Sequence, residues 1–157
     1  MINTLIPDKM GSYKDNDVIF LLRDISNYII ETKTEERESL IQGGRHYSEM
    51  LPVEYQPNNE YVSLFQSSLH MYARRIAVAV GVVAEQIVAT KGLNDLVLVS
   101  LARAGTPIGV LIKRYILQKY GQSIPHYSIS IIRGRGIDEV AIDYIFTQHN
   151  NPQIQYP

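Results

Sequence analysis

The stretch LVLVSLARAGTPIG, residues 96–109, decides the fold class. Six residues, Leu96 to Leu101, make a Leu- and Val-rich run of the length a buried strand needs. Ala102, Arg103, Ala104 and Gly105 then form a tight passage. Thr106 is a good N-cap for a helix, and Pro107 stands at the first helical position, where proline is tolerated best. Strand, glycine turn and capped helix bring backbone N–H groups to one point, which favours an anion such as a phosphate. Arg103 sets a permanent charge with a forked set of donors beside it. The passage reads as a ligand loop.

Toward the C-terminus the same pattern recurs. A helix from Pro107 to Tyr120 is closed by Gly121, and Pro125 precedes a second strand over residues 127–132, where Ile129 and Ile131 alternate with Ser128 and Ser130. Arg133, Gly134, Arg135 and Gly136 follow, then a helix from Ile137 or Asp138 to about His149; a third strand begins at Ile154. Strand–helix–strand–helix predicts an α/β fold with a parallel sheet. Ligands of such sheets bind at the carboxyl ends of the strands, so residues 103–106 and 133–138 are expected to face a common crevice. Glycine admits close backbone approach and arginine grips phosphate through two donors, which suits a polyanionic ligand. Neither loop fits the Walker A or GxGxxG pattern, which argues against ATPase and dinucleotide-binding readings.

Toward the N-terminus the chain reads as helical. Residues 1–14 make an arm, and Asp15 or Asp17 caps a helix to about Thr32, with Val18, Leu21, Leu22, Ile25, Tyr28 and Ile29 as its stripe. A charged helix follows from Thr34 to Gln42, with Glu35 and Glu36 in its first turn, and Gly43-Gly44 supplies a left-handed C-cap. Residues 45–60 are a loop rich in proline and asparagine, anchored by Tyr47, Met50 and Leu51. A long helix then runs from Asn59 or Glu60 to Lys91 and is closed by Gly92; Gly81 marks either close packing or a break. The expectation is a single domain, with an all-helical part over 1–92 and a βαβα core over 93–157.

Composition bounds the function. A net charge of −1 and one short RGRG loop make a poor footprint for nucleic acid or a membrane surface. The absence of cysteine excludes disulfides, thiolate metal sites and a cysteine nucleophile within these residues, and fits a reducing cytoplasm. The first residues lack the apolar core of a signal peptide, and the longest apolar stretch, Ile76 to Ala84, is too short to span a bilayer. His70, His126 and His149 have no second ligand at metal spacing, so no metal held by protein residues is expected.

Several side chains carry two readings. His46 and Glu49 are either an acid–base pair or a histidine satisfying a loop carbonyl beside an ordinary loop acid. Arg133 and Arg135 are either ligand contacts or solvated charges. Asp138 and Glu139 read as an N-cap and a first-turn acid, with Asp138 also a candidate for orienting a ribose or metal. Arg74 and Arg75 read as part of a solvated helix face.

VLVSLARAGTPIG is similar to the strand and pyrophosphate loop of type I phosphoribosyltransferases. More closely, IQGGRHYSEMLPVEYQP, LVSLARAGTPIGVL and HYSISIIRGRGIDE resemble the phosphoribosyltransferase-like family of StiP-type cysteine proteases, whose members occur beside tellurite-resistance and stress-response genes. The resemblance implies a type I phosphoribosyltransferase-like sheet, with Arg103, Ala104, Gly105 and Thr106 on the pyrophosphate of a phosphoribosyl diphosphate or nucleotide-like ligand. Magnesium would arrive with the diphosphate. The family's acidic ribose-phosphate loop is expected just beyond Pro157, so the chain reads as the N-terminal part of a longer protein or a truncated form. The end strand at Ile154 would pair within the chain, with a downstream domain or with a second copy.

Overall fold

A computed structural model describes residues 6–25, 27–29, 31–149 and 153–155. The first five residues of the expected arm, and residues 150–152 and 156–157 of the tail, lie outside the described residues. The chain forms two compact units, one of Met1–Arg23 with Arg74–Pro157 and one of Asp24–Ala73.

The larger unit is built on a four-stranded parallel sheet in the order β1-β5-β4-β8, where β1 is Ile19–Leu21, β4 Leu96–Leu101, β5 His126–Ile129 and β8 Gln153–Gln155. The expected strand at Ile154 thus pairs within the chain, Val97 opposite Ile154. The central strand β4 is buried on both faces, and its alternation sorts side chains into two layers. Leu96 and Leu98 pack with Val80, Ala84 and Ile87 of α2 (Asn59–Lys91) and with Ile112 and Ile116 of α3 (Gly105–Tyr120). Val97 and Val99 pack with Tyr127 and Ile129 of β5 and with Ala141 and Ile145 of α4 (Glu139–Gln148). The result is helices on both faces of a parallel sheet.

The expected helix from Asp15 or Asp17 to Thr32 does not form, and the N-terminal part is not all helical. Val18 to Leu22 are five consecutive apolar residues, and their middle three pair with Tyr127, Ser128 and Ile129 as the edge strand β1. Asp17, read as a helix cap, instead accepts two hydrogen bonds from Arg114 of α3, at 2.9 and 2.6 Å. A sheet edge and an ion pair at a sequence distance of about a hundred residues override the local helical spacing.

α2 is one continuous helix. Gly81 is a close-packing position, since a Cβ there would meet the Tyr115 ring of α3 at 3.2 Å. The expected strand over 127–132 is divided: β5 ends at Ile129, and Ile131–Ile132 (β6) pairs antiparallel with Gly136–Ile137 (β7), so that Arg133, Gly134 and Arg135 form the tip of a hairpin.

In the smaller unit, β2 (Glu31–Thr32) pairs parallel with β3 (Leu51–Pro52). The polar helix α1 (Thr34–Gln42) lies between them in sequence and ends with Gly44 in the left-handed region, as expected of the Gly43-Gly44 cap. Within the expected loop, a short 3-10 turn spans Tyr47–Glu49; Met50 after it is buried, and Tyr47 is 44% exposed.

Candidate functional site

The parallel pairing of β4 and β5 sets Leu101 opposite Ile129, so the turn after β4 and the hairpin after β5 leave the sheet at the same edge. Two backbone bonds tie the turns to that edge: Ala102 N–H donates to the Ile129 carbonyl at 2.8 Å, and Asp138 N–H to the Ser130 carbonyl at 3.1 Å. The Ala102–Arg103 peptide bond is cis. Residues 103–106 and 133–138 therefore sit at neighbouring strand ends of one unit. Each of Arg103, Arg133 and Arg135 takes part in a further interaction within the protein.

Thr106 does not cap α3. The helix begins at Gly105 with Ala104 at the cap, so Thr106 and Pro107 lie inside its first turn. The Thr106 side chain is buried and its hydroxyl meets that of Ser128 in β5 at 2.8 Å. It ties the turn to the sheet. The Gly105 amide belongs to the first turn, whose donors have no intrahelical acceptor.

A second polar pair lies deeper on the same face. Ser100 Oγ and His126 Nε2 are 2.7 Å apart, and His126 Nδ1 lies 3.0 Å from the Asp17 carbonyl. A carbonyl oxygen only accepts, so Nδ1 carries the proton and Nε2 accepts from the Ser100 hydroxyl. Both side chains are closed off from solvent, which makes the pair a structural one. Burial pushes the His126 pKa down to about 4, with Lys113 adding to the shift and the Asp17 contact opposing it. Lys113, also buried, is lowered by desolvation, and the Asp17 carboxylate counteracts this. The Arg114 guanidinium holds Asp17 below its ordinary value against the effect of burial.

Asp138 caps α4, accepting from the Ala141 amide at 3.1 Å, as the sequence predicts. It also lines a cavity of about 490 Å³ at the end of β1, with Leu21, Leu22, Arg23, Val140 and Tyr144. Residues 103–106 are not part of this wall. Leu21 and Leu22 escaped the sequence reading as cavity residues because the helical stripe absorbed them.

In the smaller unit the His46 ring bonds within its own turn, Nδ1 lying 2.7 Å from Ser48 Oγ, and stacks at a tilt on Tyr47. Glu49 lies 3.8 Å from Arg45 Nε. Among the described residues no group of three or more His, Asp or Glu could hold a metal, and no helix is long and apolar enough to cross a membrane.

A family model described as "Tellurite-like stress resistance cysteine protease StiP" matches residues 11–156. The chain is similar to the "Cysteine protease StiP" of Acinetobacter baylyi, 39% identical over 147 residues. That match covers 93% of this chain and 37% of the relative, so the chain spans little more than a third of the relative's length. No solved structure matches the chain. The 157 residues contain no cysteine, so the thiol that the relative's name implies is not among them. With nearly its whole length matched by the family model, the chain belongs to the StiP family of tellurite-like stress resistance proteins.

Proposed function

We propose that this chain is a phosphoribosyltransferase-like domain that binds a phosphoribosyl diphosphate or nucleotide-like ligand at the turn between β4 and α3, in a stress-resistance setting. The observation that carries the reading is the shared edge: the turn with Arg103 and Gly105 and the hairpin with Arg133 and Arg135 follow adjacent parallel strands. Three guanidinium groups at one sheet edge suit a ligand with several negative oxygens.

In this reading Arg103 and the Ala104 and Gly105 amides face the pyrophosphate, and Thr106 acts through Ser128 to hold the turn. The Gly134 and Gly136 positions, both in the left-handed region, let the hairpin bring Arg133 and Arg135 over the ligand. Asp138 orients the sugar. Magnesium would arrive with the diphosphate, held by its oxygens and water. The chemistry asked of the protein is positioning and stabilisation of a departing diphosphate by charge.

Calorimetric titration with phosphoribosyl diphosphate and magnesium tests the reading. Wild type should give saturable heat, and Arg103→Ala should bind about tenfold more weakly or worse, the loss expected of a charge-assisted contact. Equally negligible heats for both would remove the idea. The rival reading is a phospho-ligand binding module without turnover. Base-dependent release of diphosphate by these 157 residues alone would count against that one.

A further inference from the structure

α2 carries apolar surface that nothing among the described residues buries. Its own buried residues all lie between Val80 and Ile87. From Asn59 to Ala79 every residue except Ser68 is exposed. Over that length the helix has no buried side chain, yet helices in water draw most of their stability from packing an apolar face.

The exposed apolar residues keep a strict spacing. Val62, Leu69, Ile76 and Val83 recur at intervals of seven, and Phe65, Tyr72 and Ala79 each stand three residues after one of them. Alternating steps of three and four give a period of about 3.5 residues, the repeat that keeps one stripe against a partner helix in a left-handed coiled coil. No charged residue interrupts the stripe. It runs beside the core contact and not into it, since Val83 is 41% exposed while Val80, Ala84 and Ile87 are buried.

Such a stripe fits a helix of the same period. α1 is polar and buries no residue, and α3 and α4 turn their apolar faces to the sheet. Among the described residues the matching helix is α2 itself, on another copy, and self-complementary pairing about a two-fold axis is the common form of oligomer. A net charge of −1 gives two copies little mutual repulsion. The six larger side chains of the stripe are between 41% and 56% exposed. Covering them and Ala79 would remove about 600 Å² per copy, roughly 1,200 Å² for a pair, which is where stable interfaces begin.

We propose that α2 pairs along this stripe with α2 of a second copy of the chain, as a two-helix coiled coil. The pairing does not depend on the ligand read at the arginine turns.

Sedimentation equilibrium of the 157-residue chain, over a concentration series reaching about 100 μM, tests it. Wild type should fit a monomer–dimer equilibrium. Leu69→Lys and Ile76→Lys each set a charge in the stripe and should weaken the dimer about tenfold or more, with helix content checked by circular dichroism. Ser67→Lys, on the opposite face of the helix, should leave the dimer intact. A nitroxide on Gln66→Cys, beside the stripe in a chain with no other cysteine, reads the pairing without disturbing it. Helix rise and interhelical spacing place the second copy's label within about 40 Å. A monomer at every concentration overturns the proposal and leaves the stripe to a different partner. A dimer that both lysine variants leave intact, an assembly larger than two, or the absence of a distance between labels overturns it as well.

Discussion

His126 Nε2 and Ser100 Oγ lie 2.7 Å apart and together occupy the space that a side chain on Gly109 would need. Three elements, β4, β5 and α3, meet at this point without a spare methyl's width. The close approach of α3 to the sheet, directly beneath the candidate turn, depends on it.

Gly109→Ala should therefore be strongly destabilising even though alanine is the better helix former. A Cβ would overlap both polar atoms, and relief requires moving the helix or breaking the hydrogen bond. A loss of about 2–4 kcal/mol is expected, read as a lower urea midpoint with an unchanged slope. An unchanged midpoint would show that the helix yields at little cost.

Acid should weaken the fold in a defined window. The folded His126 pKa of about 4 lies below the ordinary 6.5, so the unfolded chain binds the proton first. The stability linked to this residue is complete above about pH 6.5, falls between 6.5 and 4, and levels off below, by about 3 kcal/mol in all. Asp17 acts lower: Arg114 depresses its pKa from 3.8, so its contribution is lost only as the pH drops beneath that value. Denaturation curves between pH 7 and 4 check the window. His126→Gln should be less stable at pH 7 and should flatten the slope there.

The hydroxyl pair under the turn should behave as a unit. Thr106→Val keeps the shape and strands the buried Ser128 hydroxyl, at a cost of about 1–2 kcal/mol. Adding Ser128→Ala should recover part of that loss, and Thr106→Ser should cost less than Thr106→Val. Thermal melts of the wild type, these three variants and Ser128→Ala alone decide this, and strictly additive losses would mean that the two hydroxyls do not share a bond.

Asp17 and Arg114 should show coupling in a double-mutant cycle. The carboxylate is buried, and the guanidinium is about half exposed, which places the pair between a surface and a buried salt bridge. Arg114→Met, Asp17→Asn and the double variant should give a coupling of about 1–2 kcal/mol. Arg114→Met should also raise the Asp17 pKa, measurable from its carboxyl carbon shift. Absence of both effects would leave β1 held by the sheet alone.

Much of the larger unit was legible because its signals are local and dense. The run from Leu96 to Leu101 has no polar alternation and is too short for a helix, which leaves a strand buried on both faces. Asp138 ahead of Glu139 is a capping pattern, and Gly121 in the left-handed region stops α3 where the periodicity ends. Other features were not legible. Val18, Leu21, Leu22 and Ile25 fit a helical stripe as well as a strand, and the deciding facts, pairing with Tyr127–Ile129 and the grip of Arg114 on Asp17, lie about a hundred residues away. The cavity was hidden with them, since Leu21 to Arg23 form one of its walls.

By itself the amino-acid order determined the parallel α/β core, the strand–turn–helix unit around Arg103 and Gly105, and the likeness to the StiP family, because each is written in residues adjacent along the chain. Only the tertiary structure decided that β1 completes the sheet, that Thr106 faces Ser128 rather than solvent, that the arginine segment is a hairpin, and that a cavity adjoins it. The reason is physical. Helix caps and strand length are settled by short-range sterics and hydrogen bonds, whereas an edge strand or a buried hydroxyl takes its conformation from whatever partner the folded chain brings to it.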